Sequence, residues 1–415
     1  MKRLYTILMT AVMLMSVPAF GGGFQLNEHG ARAMAMGGAF AGYARDLSAI
    51  YFNIAGITYL PGVHMQVGTT LITPAASFRG PSPSVTETKM KSQLFYPSHA
   101  YFTYQINDMF TAGFGFNNPF GLGTEWDEGW VGQFITLKSD LKVFSLNPVL
   151  GVKLSDKLRL GVGLQYNIAT VELSRALNFA PTFNGTGKID LKGDEKGAIG
   201  FAGGLLYQAT KEISLGLQYR SEVNYKFKGT ATTTGPSQLS ANLLAGDIEA
   251  TFTSPQQFTF GVAVTPSSKL LLTADFQYIM WSSYDSLKID FLASDTTISS
   301  PRLYEDTYIV RLGAEYSYSD NLALRAGLLF DRNPVKDDHL DPLLPDANRI
   351  GISAGLGYRI SDAMSLDLSY LFLRFSERTI TKTEISYSGN SGMLPFTGTY
   401  NSTANLFSFS LNYKF

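Results

Sequence analysis

Apolar and polar residues alternate with a period of two along most of the chain. The pattern runs through Val63 to Thr73, Leu94 to Gln105, Phe110 to Asn117, Leu141 to Lys153 and Arg159 to Leu173. It returns at Ala198 to Tyr207, Ile213 to Lys228, Glu249 to Val264, Leu270 to Trp281 and Tyr308 to Tyr318. Leu322 to Asp331, Arg349 to Arg359, Met364 to Phe375 and Ala404 to Phe415 complete the set. Period-two alternation predicts strands with one apolar face. The chain end is the clearest case, with Phe407, Phe409, Leu411, Tyr413 and Phe415 alternating with Ser408, Ser410, Asn412 and Lys414. A terminal Phe on such a strand also resembles the mark read by the machinery that inserts barrels into outer membranes.

The connections carry more information than the strands. Ile106-Asn107-Asp108-Met109, Ser155-Asp156-Lys157, Thr210-Lys211, Pro266-Ser267-Ser268, Ser319-Asp320 and Ser361-Asp362-Ala363 are tight turns. Between them lie 74–93, 118–140, 175–196, 229–248, 285–304, 332–347 and 376–402, long connections of roughly 16 to 27 residues. Short and long links in strict turn are the mark of an up-and-down transmembrane barrel, with tight periplasmic turns and long outer loops. The expected fold is therefore all-β: a transmembrane antiparallel β-barrel of about 14 strands.

Composition agrees with this class. Charged residues are 16% of the chain, against the roughly 25% usual in soluble domains, and there are 29 Phe, 22 Tyr, 40 Gly and no Cys. No Cys means no disulfide scaffold and no thiolate site. A net charge of −1 offers no basic surface for nucleic acid. After residue 21 no run is apolar and long enough for a membrane helix. Lys2, Arg3, the apolar run Leu4 to Val17 and the small residues around Ala19-Phe20-Gly21 predict a signal peptide over 1–21, cut before Gly22.

The segment 22–60 fits no membrane strand and is too small for a core of its own. An apolar lumen is the surface open to it, so it is expected to be an N-terminal hatch plugging the lumen of a barrel formed by 61–415. Gly-rich runs such as Gly113-Phe114-Gly115 and Gly161-Val162-Gly163 lie inside strands, not at phosphate-binding turns. The four His show no metal spacing, and Asp337-Asp338-His339-Leu340-Asp341 reads as a solvated outer loop. No cofactor is expected. No G-x-S-x-G elbow is present, and a Ser/His hydrolase has only His339 in an outer loop, so no enzyme is expected.

Several blocks resemble the FadL/TodX family of outer-membrane transporters for long-chain fatty acids and hydrocarbons. They are Gly23-Phe24-Gln25-Leu26-Asn27-Glu28, Asn53-Ile54-Ala55-Gly56, Gly121-Leu122-Gly123-Thr124-Glu125-Trp126, Tyr219-Arg220-Ser221-Glu222-Val223, Trp281-Ser282 and Leu344-Pro345-Asp346-Ala347-Asn348-Arg349, in family order. The resemblance implies a 14-stranded barrel, a luminal hatch, an apolar pocket and passive diffusion that ends in lateral exit through a kinked third strand. It implies Phe24 and Arg175 in the ligand pocket, with Arg175 meeting a carboxylate. It places Asn53, Ile54 and Ala55 in the hatch motif, with Ile54 where the family has Pro, so the hatch turn is expected to be looser. Gly121 falls at the lateral gate. A second basic pocket position falls on Ser300, with Arg302 shifted beside it, which leaves neutral hydrocarbons open. The implied partners are a long-chain fatty acid or other hydrophobic small molecule, outer-membrane lipid and lipopolysaccharide, and the insertion machinery. A general diffusion porin is the alternative; it would lack the hatch.

Overall fold

A computed structural model describes residues 22–180, 185–389 and 392–415; the expected signal peptide lies outside them. Fourteen antiparallel strands close into one barrel. In chain order they are β1 Val63–Arg79, β2 Ser98–Gln105, β3 Phe110–Asn117 resuming at Gly121–Glu125, β4 Lys138–Lys153, β5 Leu158–Asn178 and β6 Thr186–Gln208. Then come β7 Ile213–Arg220 with Val223–Thr234, β8 Gly246–Ser254 with Gln257–Ser267, and β9 Leu270–Ile279 with Ser286–Phe291. The wall ends with β10 Thr296–Pro301 and Thr307–Ser317, β11 Leu322–Asp331, β12 Arg349–Arg359, β13 Met364–Phe375 and β14 Gly398–Lys414. β14 pairs with β1 from His64↔Lys414 to Arg79↔Thr399, which leaves the sheet no open edge. Closure is what a bilayer demands, because unpaired strand edges find no water there.

The strands reach further than alternation predicts. Much of 175–196 and 229–248, expected as connections, is the outer part of β5 to β8. The reason is solvent. Beyond the bilayer the outward face meets water, and residues such as Lys188, Asp190, Lys192 and Asp194 carry the ladder there, with only Ile189 and Leu191 as the apolar face between them. Neither 118–140 nor the described part of 175–196 contains a helix.

The segment before β1 lies inside the barrel. It forms α1 Ala31–Ala35, α2 Ala49–Phe52 and a 3-10 turn, Ile54–Tyr59. Buried wall groups meet its backbone on all sides. Ser410 Oγ accepts from Ala31 N at 3.0 Å, Ser353 Oγ from Gly37 N at 3.0 Å, and Asp275 Oδ2 from Phe40 N and Ala41 N at 2.8 Å. Arg220 Nη2 donates to Tyr51 O at 2.7 Å, and Arg159 Nη1 to Thr58 O at 2.7 Å. Wall glycines allow this approach. A Cβ on Gly216 would stand 2.0 Å from Ala41 O, and one on Gly327 2.0 Å from Gly37 N.

An ion network pins α1. Arg32 Nη2 and Arg325 Nε hold the two oxygens of Glu315 at 2.8 and 2.6 Å, and Arg325 Nη1 holds Asp367 Oδ1 at 2.6 Å. Breaking a buried ion pair by deleting one partner costs about 3–5 kcal/mol, because charge is left uncompensated. Glu315→Ala takes the shared anion from two arginines at once, leaving Arg325 to Asp367 and Arg32 to Asp46 at 3.8 Å. It is expected to lower the temperature at which the detergent-solubilised barrel unfolds, read by its migration on gels after graded heating. An unchanged transition would mean the network does not hold the luminal segment.

Candidate functional site

The wall is interrupted in β3. Up to Asn117↔Ser145 the strand pairs regularly with β4, and pairing resumes at Gly121↔Lys142. Asn118, Pro119 and Phe120 leave the ladder between them. Pro119 has no N–H to give to a ladder, which is why a strand interior rarely holds one. The Asn118 side chain spans the break: its Nδ2 donates to Val143 O at 3.0 Å, and its Oδ1 accepts from Ser98 N at 3.1 Å. Beyond the break β3 pairs with β4, and Phe95 occupies the side facing β1, bridged to Ile72. A Cβ on Gly123 would stand 1.9 Å from the Phe95 ring.

The start of the described chain docks into this break. Gln25 pairs with Phe120 as an antiparallel bridge, Leu26 N donates to Pro119 O at 3.0 Å, and Gly121 N donates to Phe24 O at 3.1 Å. Gly23 N donates to Asp346 Oδ2 at 2.8 Å. Burial pushes the Asp346 carboxyl up to about 6, with Arg349 pulling against it. Gln25 Nε2 donates to Gln257 Oε1 at 2.8 Å.

These contacts fix the Phe24 ring. It lies 4.9 Å from the Trp281 ring, 5.3 Å from Phe252 and 6.1 Å from both Phe120 and Tyr284. Two cavities meet at this ring. An inner one of about 100 Å³ is lined by Val171, Leu173, Phe227, Phe252, Tyr284 and Tyr304 among others. An outer one of about 520 Å³ runs along the β3 break past Phe95, Phe120 and Gly121 to Ile72 and Ala404. Phe24, Leu122, Asp140, Leu141 and Leu344 line both, so Phe24 stands at their boundary.

The other residues singled out from the sequence fall as follows. Gly121 borders the break rather than forming it; the break itself is Asn118 to Phe120. A Cβ on Gly121 would meet Leu26 at 3.0 Å and Leu141 O at 3.8 Å, and Gly121 lines the outer cavity. Arg175 is on the face of β5 that carries Val171 and Leu173, one inward step nearer the outer rim, and it is exposed and lines neither cavity. Asn53 caps the 3-10 turn, accepting from Ala55 N at 3.3 Å, and its Nδ2 donates to Ala41 O and Leu205 O. Ile54 is buried, and the N–H that Pro would lack donates to Gln218 Oε1 at 3.4 Å. That bond opposes the looser turn expected when Ile54 stands in place of Pro.

The loop 332–347 is not the solvated loop expected, since His339, Leu340 and Asp341 are buried. Asp341 pairs with Arg302 in the wall of the inner cavity, Nη1 to Oδ2 at 2.5 Å. Sequence reasoning passed over Asn118 and Pro119, and it left Asp341 in a solvated loop. The first two carried a readable mark, an Asn-Pro pair beside a strand; Asp341 carried none.

Comparison with known proteins follows this geometry. The family model described as outer membrane protein transport protein (OMPP1/FadL/TodX) matches residues 12–415. The long-chain fatty acid transport protein of Salmonella typhi is 27% identical over 404 residues, 90% of this chain and 92% of that one. The fold is similar to that of a Pseudomonas aeruginosa FadL homologue, with a TM-score of 0.84 at 22% identity over 95% of this chain and 100% of that one. It is also similar to that of the Ralstonia pickettii toluene transporter TbuX, with a TM-score of 0.71 at 20% identity over 93% and 98%.

Phe24→Ala removes the ring from the cavity boundary. A buried Phe truncated to Ala costs about 3–5 kcal/mol. The variant is expected to hydrate Trp281 and move tryptophan emission to longer wavelength, in an otherwise folded barrel. An unshifted spectrum would place the ring elsewhere.

Proposed function

The chain belongs to the OMPP1/FadL/TodX family of outer-membrane transport proteins, and on that premise we propose that it takes up long-chain fatty acids or other hydrophobic compounds by passive diffusion. The family consists of transporters, not enzymes, and its members are outer-membrane proteins. In the proposed route a hydrophobic solute enters the inner cavity from outside. The segment 22–60 serves as the hatch, and Asn53, Ile54 and Ala55 belong to its tie to the wall. Phe24 closes the way onward. When the strap that carries it moves, the solute passes into the outer cavity and leaves sideways into the bilayer through the break in β3.

The observation that carries this proposal is the position of Phe24 between an apolar cavity in the lumen and a larger one along an interrupted wall strand. Physical chemistry favours such a path. Each buried methylene is worth about 0.8 kcal/mol, so an apolar cavity captures a chain that water rejects. Sideways exit never returns that chain to water. A general diffusion porin has no use for a lumen filled by its own chain.

Gly121→Trp tests the route, since Gly121 borders the outer cavity without touching the luminal helices. Cells carrying it are expected to take up a labelled long-chain alcohol at near background, while the folded protein reaches its usual level in the outer membrane. Unchanged uptake would contradict lateral exit past Gly121. Vesicles containing the parent protein are expected to swell slowly in sugars; fast swelling would favour the porin.

A further inference from the structure

The inner cavity is lined by four charged side chains: Asp140, Lys192, Arg302 and Asp341. Each is paired. Lys192 Nζ is 3.2 Å from Glu172 Oε1, and Asp140 Oδ2 is 2.9 Å from Lys142 Nζ. Of the two cations lining this cavity Arg302 is the buried one, and Asp341 holds it at 2.5 Å, with both side chains under a tenth exposed. Neither residue is free to swing away. Arg302 N donates to Asp285 O at 2.7 Å, and Asp341 Oδ1 accepts from Leu343 N at 3.0 Å.

We infer that Asp341 is a specificity determinant: by neutralising Arg302 it makes the inner cavity a site for uncharged hydrophobic molecules and excludes carboxylates. This rests on the proposed function of the cavity. The physics is that of a desolvated anion. A carboxylate brought into an apolar cavity loses its hydration and needs a cation or several donors in return. Here the cation's charge is already met, so an incoming carboxylate must displace Asp341 or sit beside it, like charge against like. An alcohol, ester or hydrocarbon carries no such cost. Arg302 Nε is buried without a partner, which leaves a donor for a neutral acceptor but no net charge for an anion. Arg175, exposed nearer the outer rim, lies outside this cavity.

The test compares octanol and octanoate binding to the purified full chain in detergent at pH 8, where octanoate is ionised. The parent is expected to bind octanol about tenfold more tightly or better. Asp341→Asn keeps the shape and frees Arg302. It is expected to raise the ratio of octanoate to octanol affinity by about tenfold, the scale of one hydrogen bond to a charged group. The double variant Arg302→Gln with Asp341→Asn removes both charges and is expected to lack that gain. Where Asp341→Asn does not fold, Asp341→Ser frees Arg302 in the same way and carries the same expected gain. Equal binding of octanoate and octanol by the parent, lost in Arg175→Gln, would put the carboxylate at the rim and overturn the inference while leaving the cavity's function standing. Octanoate affinity unmoved by Asp341→Asn would overturn it as well. Failure of both ligands to bind the parent would overturn the cavity's function and the inference together.

Discussion

A bilayer offers no hydrogen bonds, so every backbone group at membrane depth needs a partner within the protein. In β3 the neighbouring strands alone do not meet that demand. At Asn118 to Phe120 β3 leaves the ladder; the start of the described chain takes up β3 groups, and the Asn118 side chain takes up Val143 O of β4 and Ser98 N of β2. Leu26 N serves Pro119 O, and Phe24 O serves Gly121 N. The strap is thus a replacement strand for the break. The consequence for the proposed route is direct. Phe24 cannot leave the cavity boundary without removing hydrogen bonds from the interrupted wall, so cavity and wall opening are coupled through shared backbone bonds.

The rest of the luminal segment behaves differently. Its backbone is tied to buried Asp275, Ser353, Ser410 and Arg220 around the barrel, and α1 is held by the Arg32, Glu315, Arg325 and Asp367 network. Buried charges in such a network are costly to separate. The residues just before α1 take no part in that network. Movement of a short strap therefore costs less than extraction of the whole segment, which favours a hatch that stays in place while its leading end moves.

The fold was legible because a lipid-facing wall must alternate, and Phe407 to Phe415 shows why the alternation is so clear where lipid is present. The same cause explains what was not legible. Outside the bilayer, β6 carries Lys188, Asp190, Lys192 and Asp194 with only Ile189 and Leu191 between them, so its outer half read as loop. The site was legible in part. Phe24 lies at the cavity boundary, but Gly121 only borders the break, which Asn118 and Pro119 make. The pairing of Arg302 with Asp341 joins positions 39 residues apart in two different loops, and no local pattern marks such a contact.

The central claim is that the strap seated in the β3 break must move for a hydrophobic solute to pass. The chain has no Cys, so a single engineered pair is unambiguous. Gln25 and Phe120 are antiparallel bridge partners, with Cα atoms about 4.5–5.5 Å apart in that arrangement, within disulfide reach. The most direct measurement is uptake of a labelled long-chain alcohol by cells carrying Gln25→Cys with Phe120→Cys, oxidised and then reduced. The account predicts that uptake stops when the strap is locked and returns on reduction. Equal uptake in both states would contradict it.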